Sequence, residues 1–477
     1  MNILAKYKSM SVQARAALWF VFCSFLQKGI SFVTVPIFTR MMTTEEYGAF
    51  TLYLSWLQIF TVITSLYLYN GVFDNGMAKF ADDRDRYTAS MQGLTVCLNT
   101  VLFVLVLIFI KPFEVLLGMS PVMIILMFVE MYVTPALAFW TGKKKFEYKY
   151  TSVVAVTLAK TVLNPILGIF AITVSRDAVM ARIVSVVAVE VIFCGTVMIL
   201  QFWKGKTFFH KEYWKYGIKL ATPMLPHYLS TVILNQGDRV MIEKMVGKTE
   251  LALYGVAYNI GMLVKLFVSA INSAITPWVY GKLKQGDIPS IRKRFSGLMI
   301  LVALISLGLM LISPEVVLIF GSTEYANAVH IIPPVAASVF FVFLYGLNSY
   351  PEFYYEKTWF LMIASVAAAV LNVVLNYFFI QWFGYVAAAY TTLICYIAYG
   401  VGHQIIGGRI LKAQTGETSL IEVPLTVGIS LALILSCWLV SYTFDWMLFR
   451  YGVIAAGAVV ALYYRKQIMG FLVDFDK

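Results

Sequence analysis

Charge is scarce in this chain. Only 13% of its 477 residues are Asp, Glu, Lys or Arg, while 60% are hydrophobic; a water-soluble domain carries roughly 25% charged residues. Such a chain cannot cover its apolar side chains in water, so lipid is read as its solvent. Useful cysteine and histidine patterns are missing too. The five cysteines (Cys23, Cys97, Cys194, Cys395 and Cys437) fall in apolar stretches without a CxxC pair, and the histidines at 210, 227, 330 and 403 are scattered. Neither a disulfide framework nor a metal site is indicated, and no cofactor is expected. A Walker-type phosphate loop is absent, which argues against ATP hydrolysis by this polypeptide. Long loops are lacking as well. Connections of about 5 to 15 residues leave no room for a folded extramembrane domain, so a membrane glycosyltransferase or polymerase, which needs a large loop with catalytic acids, is disfavoured. Asp83-x-Asp85 has the spacing of some metal-and-nucleotide-sugar sites, but it lies in a short loop without a nucleotide-binding fold and reads as solvated.

Apolar runs of roughly 20 residues predict fourteen spans. They begin near Ala14, Phe50, Tyr87, Pro121, Thr151, Val179, Lys215, Leu251, Phe295, Val329, Thr358, Tyr385, Leu420 and Trp446. With the amino terminus inside, 26 of the 37 Lys and Arg fall on the inner side, Lys6, Lys8, Lys466 and Lys477 among them. The outer loops hold seven: Arg40, Lys111, Arg176, Arg239, Lys244, Lys248 and Arg450. This asymmetry is what the positive-inside rule demands, and it puts both termini in the cytoplasm. The net charge of +12 is thereby explained by topology and anionic headgroups; a nucleic-acid partner is not expected. The basic then apolar first segment is too long for a cleaved signal and reads as the first span. Aromatic residues Trp203, Phe208, Phe209, Tyr213 and Trp214 are expected at headgroup depth.

An internal repeat appears at an offset of about 205 to 208 residues. Val162 to Phe170 (VLNPILGIF) meets Val370 to Phe378 (VLNVVLNYF), and Thr44, Glu45, Tyr47 and Gly48 meet Thr249, Glu250, Tyr254 and Gly255. Six spans per half is an even number, so the halves enter the bilayer in the same direction and can be related by a pseudo-two-fold axis along the membrane normal. The expected fold is all-α integral membrane, with about 14 helices: an N-lobe over 1–205, a C-lobe over 206–413 and a hairpin over 414–477.

Four cations remain within spans: Lys28, Lys160, Arg182 and Lys265. Each costs on the order of 2.5 to 3.5 kcal/mol at a helix centre, so each is a functional candidate. Lys28 lies 13 residues past Arg15, about 20 Å along a helix. Arg182, near a helix end, is expected to snorkel to the interface. Three acids join them, Glu130, Glu190 and Asp238. A buried carboxyl can carry a coupling proton or serve as an ion-pair partner, and Glu130 could pair Lys160. Asn372 and Asn376 share one helix face and read chiefly as interhelical glue, with Gly384 permitting the turn that follows. Pro223 and Pro226 kink the seventh span.

Three stretches carry a family resemblance. Asn372 to Tyr396 (NVVLNYFFIQWFGYVAAAYTTLICY), Gly237 to Ile260 (GDRVMIEKMVGKTELALYGVAYNI) and Thr39 to Leu52 (TRMMTTEEYGAFTL) resemble the polysaccharide flippases of the multidrug, oligosaccharidyl-lipid and polysaccharide exporter superfamily. The resemblance implies a bacterial inner-membrane protein that carries undecaprenyl-pyrophosphate-linked oligosaccharide to the outer leaflet for O-antigen, capsule or exopolysaccharide assembly, beside glycan polymerase machinery. It also implies a central cleft bordered by helices one, two, seven and eight. Lys28 and Lys265 would then offer point cations to the pyrophosphate, with Lys160 reaching in from the side and Arg15 at the entrance. Competing readings are a lipid II flippase, disfavoured because Phe50 to Tyr69 holds no Lys or Arg, and a multidrug exporter, disfavoured because the central charges are basic.

Overall fold

The computed structural model describes residues 12–357 and 359–465. Lys6, Lys8, Lys466 and Lys477 of the charge count lie outside them, as do both chain ends. Among the described residues there is no strand, and fourteen long helical passages follow one another. These are α1 (Val12–Met41), α2 (Thr44–Ser65), α3 (Arg84–Ile108), α4 (Pro121–Phe146), α5 (Tyr150–Val174), α6 (Ala178–Gly205), α7 (Lys211–Met245) and α8 (Lys248–Gln285). The chain continues with α9 (Ile288–Leu311), α10 (Ile332–Asn348), α11 (Trp359–Phe383), α12 (Ala387–Thr415), α13 (Val423–Tyr442) and α14 (Met447–Tyr463). The all-α class and the helix number agree with the sequence reading. Ten helical stretches are long and apolar enough to cross a membrane. α7 and α12 are not among them: α7 carries Asn235, Gln236, Asp238 and Arg239, and α12 carries Thr391, Thr392, His403 and Gln404.

Helix boundaries follow local chemistry. Thr43 and Glu46 form a reciprocal capping box at the start of α2, with the Thr43 N–H donating to the Glu46 carboxylate at 2.8 Å. Ser120 precedes Pro121 at the start of α4 and accepts from the Met123 N–H, and Asp177 caps α6 through the Met180 N–H at 2.9 Å. Asp287, in the loop before α9, accepts from Lys282 at 2.7 Å and from the Ser290 N–H at 3.2 Å. Those bonds, the one from the Lys282 ammonium first, hold its carboxyl below the usual carboxylate range. Gly384 has φ +75° in the turn between α11 and α12, the left-handed conformation in which glycine escapes the Cβ clash.

The chain divides into two compact units, Met1–Ala252 and Leu253–Lys477. In the first, α7 is bonded to its own unit: Tyr228 donates to the Asn70 carbonyl at 3.0 Å, Gln236 to Gln58 at 2.8 Å and Lys244 to the Val115 carbonyl at 2.6 Å. A core of Leu68, Phe73, Met77, Tyr87, Met91 and Phe139 closes around Tyr213 at the start of α7. Tyr213 is therefore buried, where headgroup exposure was expected; its hydroxyl donates to Asp83 at 2.6 Å, and Trp214 donates to the Ser90 carbonyl at 2.8 Å. Trp203, Phe208 and Phe209 are exposed, as expected. Asp83 and Asp85 are tethers, with Asp85 paired to Lys143. Asp82 and Asp85 are exposed to solvent, as the solvated reading expects, and the two contacts add to that reading.

In the second unit, Arg450 of α14 donates to both carboxylate oxygens of Glu315 at 2.8 Å and to the Leu311 carbonyl at 2.7 Å. Arg450 is buried in a helix, and so is Arg239. The apolar run underestimates how far α7 extends, which is why Arg239 reads as a loop residue; Arg450 lies in the first turn of α14, at the edge of the predicted span.

The repeat is visible in the bonding. Asn164 of α5 accepts from Arg182 of α6 at 2.8 Å, and its counterpart Asn372 of α11 donates to Thr392 of α12 at 3.3 Å. Each ties a helix to its successor. Asn376 adds a bond to Asn372 at 3.1 Å and accepts from Thr391, so the two asparagines are interhelical glue. Asn376→Ala should therefore destabilise the second unit by about 1 kcal/mol. A lower Tm of the detergent-solubilised protein, with normal membrane insertion, is the expected measurement.

Candidate functional site

The face of α5 that meets α6 is charged, although no water is available there in a membrane. Lys160 donates to Glu190 Oε1 at 2.7 Å, and Cys194 Sγ donates to Glu190 Oε2 at 3.0 Å. Glu190 is the last residue of the α-helical part of α6, where the helix widens into a π-turn over Val191–Gly195. Such a turn breaks the regular backbone ladder and recurs at functional sites. Four residues along α5 from Lys160, Asn164 receives the Arg182 guanidinium. That guanidinium also stacks over the rings of Phe38 in α1, at 4.1 Å, and Phe50 in α2, at 5.1 Å.

Glu130 of α4 lies close enough to feel the charges of Glu190, Lys160 and Arg182, but its direct partner is a phenol. Tyr53 of α2 donates to Glu130 Oε2 at 2.7 Å, and both side chains are buried. The first unit thus encloses a network from five helices, with two cations and two carboxyl groups. Its charges balance. Glu190 neutralises Lys160 directly, whereas Glu130 is held by a neutral group, so Glu130 is the carboxyl that can change protonation while the Lys160 ion pair stays intact.

The sequence candidates are not all gathered in one place. Lys160, Glu190 and Glu130 belong to this network, with Glu190 rather than Glu130 as the partner of Lys160. Asp238 is fully buried in α7, its Oδ1 accepting the Arg239 N–H at 2.8 Å. Arg239 in turn donates to Gln236 and to the Asn235 carbonyl, each at 2.7 Å. Lys28 is exposed on α1 and Arg15 is half-buried nearer its start; Lys265 is exposed on α8, in the second unit.

Two participants were misjudged from sequence. Arg182 does not snorkel: it is buried, and the aromatic rings of α1 and α2 together with Asn164 take up its charge. Tyr53 carried no sequence signal, since an isolated aromatic in an apolar helix looks like any core residue.

These helices define a multi-pass, all-α membrane protein with ionised side chains sealed inside a bundle. Residues 14–280, which is 267 residues and more than half of the chain, match the family described as "Polysaccharide biosynthesis protein", and residues 223–378 match the one described as "MatE". The chain belongs to the polysaccharide biosynthesis protein family and is a transporter of the multidrug, oligosaccharidyl-lipid and polysaccharide exporter superfamily. A protein of the Lsg locus of Haemophilus influenzae is 23% identical over 350 residues, covering 67% of this chain and 82% of that one. An "Uncharacterized membrane protein" of the same organism is 24% identical over 374 residues, covering 72% and 84%.

Among solved structures, one described as "Lipid II flippase MurJ, inward closed conformation" aligns with a TM-score of 0.72 at 14% identity, covering 95% of this chain and 100% of that one. An inward-facing multidrug resistance transporter of the MATE family aligns with a TM-score of 0.63 at 16% identity, covering 81% and 96%. At these identities the likeness is one of fold.

The ion pair can be tested by double-mutant analysis. Glu190→Gln strands the Lys160 charge and should destabilise the protein by about 3 kcal/mol, while Lys160→Met combined with Glu190→Gln should recover most of that loss. Thermal unfolding of the purified variants checks it; equal stability of Glu190→Gln and the native protein would show that the pair is not energetically coupled.

Proposed function

We propose that this transporter is a flippase for undecaprenyl-pyrophosphate-linked oligosaccharide. It carries each unit from the cytoplasmic to the outer leaflet of a bacterial inner membrane, for O-antigen, capsule or exopolysaccharide assembly. Access alternates between the two sides of the membrane, and both termini are cytoplasmic. The observation that carries this reading is the family match over residues 14–280.

The charged residues support it. Lys28 is an exposed cation on α1 with no hydrogen bond or ion pair among the described residues, and Lys265 is an exposed cation on α8. Point cations of this kind suit a pyrophosphate. Lys160 ranks lower than either because Glu190 already occupies its ammonium; Arg15 is an entrance residue. A proton on Glu130 supplies the coupling, with Glu190 and Asp238 as further candidates. Glycan polymerase machinery receives the product. A second reading, lipid II as cargo, is favoured by the fold shared with a lipid II flippase, but α2 contains no Lys or Arg.

Vesicles containing only this protein should move labelled undecaprenyl-pyrophosphate oligosaccharide between leaflets, and neither lipid II nor a cationic dye at a comparable rate. Lys28→Ala should lower that rate at least about tenfold, equivalent to about 1.4 kcal/mol of lost stabilisation, with abundance and insertion unchanged. Preferential movement of lipid II would replace the first reading with the second. Unchanged flipping by Lys28→Ala would remove that residue from the site.

In the same vesicles, Glu130→Gln should leave the Lys160–Glu190 pair and the Tm in place but abolish any stimulation by an imposed pH gradient. Retained stimulation would move the coupling role away from Glu130.

A further inference from the structure

The second unit holds a titratable pair that the transport reading does not use. Between the end of α10 and the loop before α11, the chain forms a short helix, Tyr350–Tyr354. Its Glu352 and His403 of α12 are both completely buried, with imidazole Nδ1 2.7 Å from carboxyl Oε1. The remaining polar atom of each, Glu352 Oε2 and His403 Nε2, is buried without a hydrogen-bond partner. Two adjacent orphaned atoms in one sealed pair are costly to leave unsatisfied. They are also the atoms that can accept a proton.

The close approach is built into α12. A Cβ at Gly407 would come within 2.3 Å of the Asn348 carbonyl oxygen, so only glycine lets this part of α12 lie against the end of α10. That places His403, one turn earlier, against Glu352. The aromatic rings of Tyr345 and Tyr399 flank the imidazole, at 5.6 and 4.6 Å. The short helix bridges to α8 on its other side: Tyr350 and Thr276 share a hydrogen bond of 2.8 Å, and Tyr354 contacts the ring of Tyr280.

We propose that Glu352 and His403 form a proton-binding site that links α8, α10 and α12. With one proton shared between Nδ1 and Oε1, the pair carries one negative charge. Uptake of a second proton from water, making an O–H bond at Oε2, leaves it neutral; no other bond changes. The rings nearest the pair are Tyr345 of α10 and Tyr399 of α12. The short helix adds Tyr350, Tyr354 and, through Tyr354, Tyr280 of α8, and the turn after it adds Tyr355, Glu356 and Lys357. α12 itself adds Tyr390, Cys395, Tyr396, Arg409 and Lys412, and the stretch Thr323–Ile331 packed on α10 adds Glu324, Tyr325 and His330. α11, packed on α12, has no titratable side chain before Tyr377. α9 and α13, packed on α10, contribute Arg292, Lys293, Arg294, Cys437 and Tyr442; Arg292 is committed to Glu417 at 2.8 Å and Cys437 to the Leu433 carbonyl at 3.3 Å. No other hydrogen bond or ion pair reaches either side chain of the pair among the described residues, so a change of one charge there acts on the three helices that enclose it. α8 also carries Lys265, and any effect on cargo movement rests on the proposed function; proton binding itself does not.

Infrared difference spectroscopy of the full chain in lipid nanodiscs, stepped between about pH 5 and pH 8, tests the site without any cargo. The native protein should show a carboxylic C=O difference signal with a component that is lost in Glu352→Gln and kept in Glu130→Gln. In His403→Gln the midpoint of that band should move by about one pH unit or more; this variant also serves if Glu352→Gln fails to fold. A native spectrum in Glu352→Gln, or an unmoved midpoint in His403→Gln, would overturn the proposal. If vesicles show no flipping while these band changes occur, the transport reading fails and the proton site stands.

Discussion

A charged or amide group in hydrocarbon has no water to bond, and the interior of this protein is organised by that constraint. Helices satisfy their own backbones, so the remaining demand comes from side chains that the sequence places at membrane depth. Four such groups find partners across a helix contact. Lys160 meets Glu190, Arg182 meets Asn164 and two rings, Glu130 meets Tyr53, and Asn372 meets Thr392. Because a strong bond in hydrocarbon tolerates little displacement, these pairs set the rotation of each helix about its axis, which apolar contacts alone leave loosely specified.

The constraint also separates two uses of charge. Lys160 and Arg182 are stabilised where they stand and serve the first unit as fixed struts. Lys28 and Lys265 are exposed on α1 and α8 instead. Polar residues likewise divide the helices. α7 and α12 fall short of the apolarity that lipid selects for, and they carry buried Asp238 and His403 respectively.

Much of this was legible in sequence, for a physical reason. Span number, the all-α class and the turn at Gly384 depend on patterns local to one segment: length against bilayer thickness, or a left-handed φ. The asparagine repeat was legible because duplication copies a local pattern. Partnerships were not. Whether Lys160 takes Glu130 or Glu190 depends on which faces of α4, α5 and α6 meet, and residue type cannot decide between two glutamates. Arg182 was misread because its rescue comes from Phe38 and Phe50, which look like ordinary core rings until α1 and α2 are in place. The partner of Arg450 is equally illegible, since Glu315 lies 135 residues earlier in the chain.

The two buried carboxyl pairs behave as opposites under this constraint. Glu190 sits between a cation and a thiol, with both carboxyl oxygens engaged, so protonating it would break the ion pair and leave an ammonium alone in the bundle. Glu352 has an oxygen without a partner, beside an imidazole nitrogen in the same condition. Protonation there adds a donor and breaks no ion pair with a fixed cation. A transporter that exchanges protons is served by the second arrangement and held together by the first. Both follow from counting bonds at each oxygen: Glu190 has a partner at each oxygen and is structural, whereas Glu352 has one oxygen open to a proton.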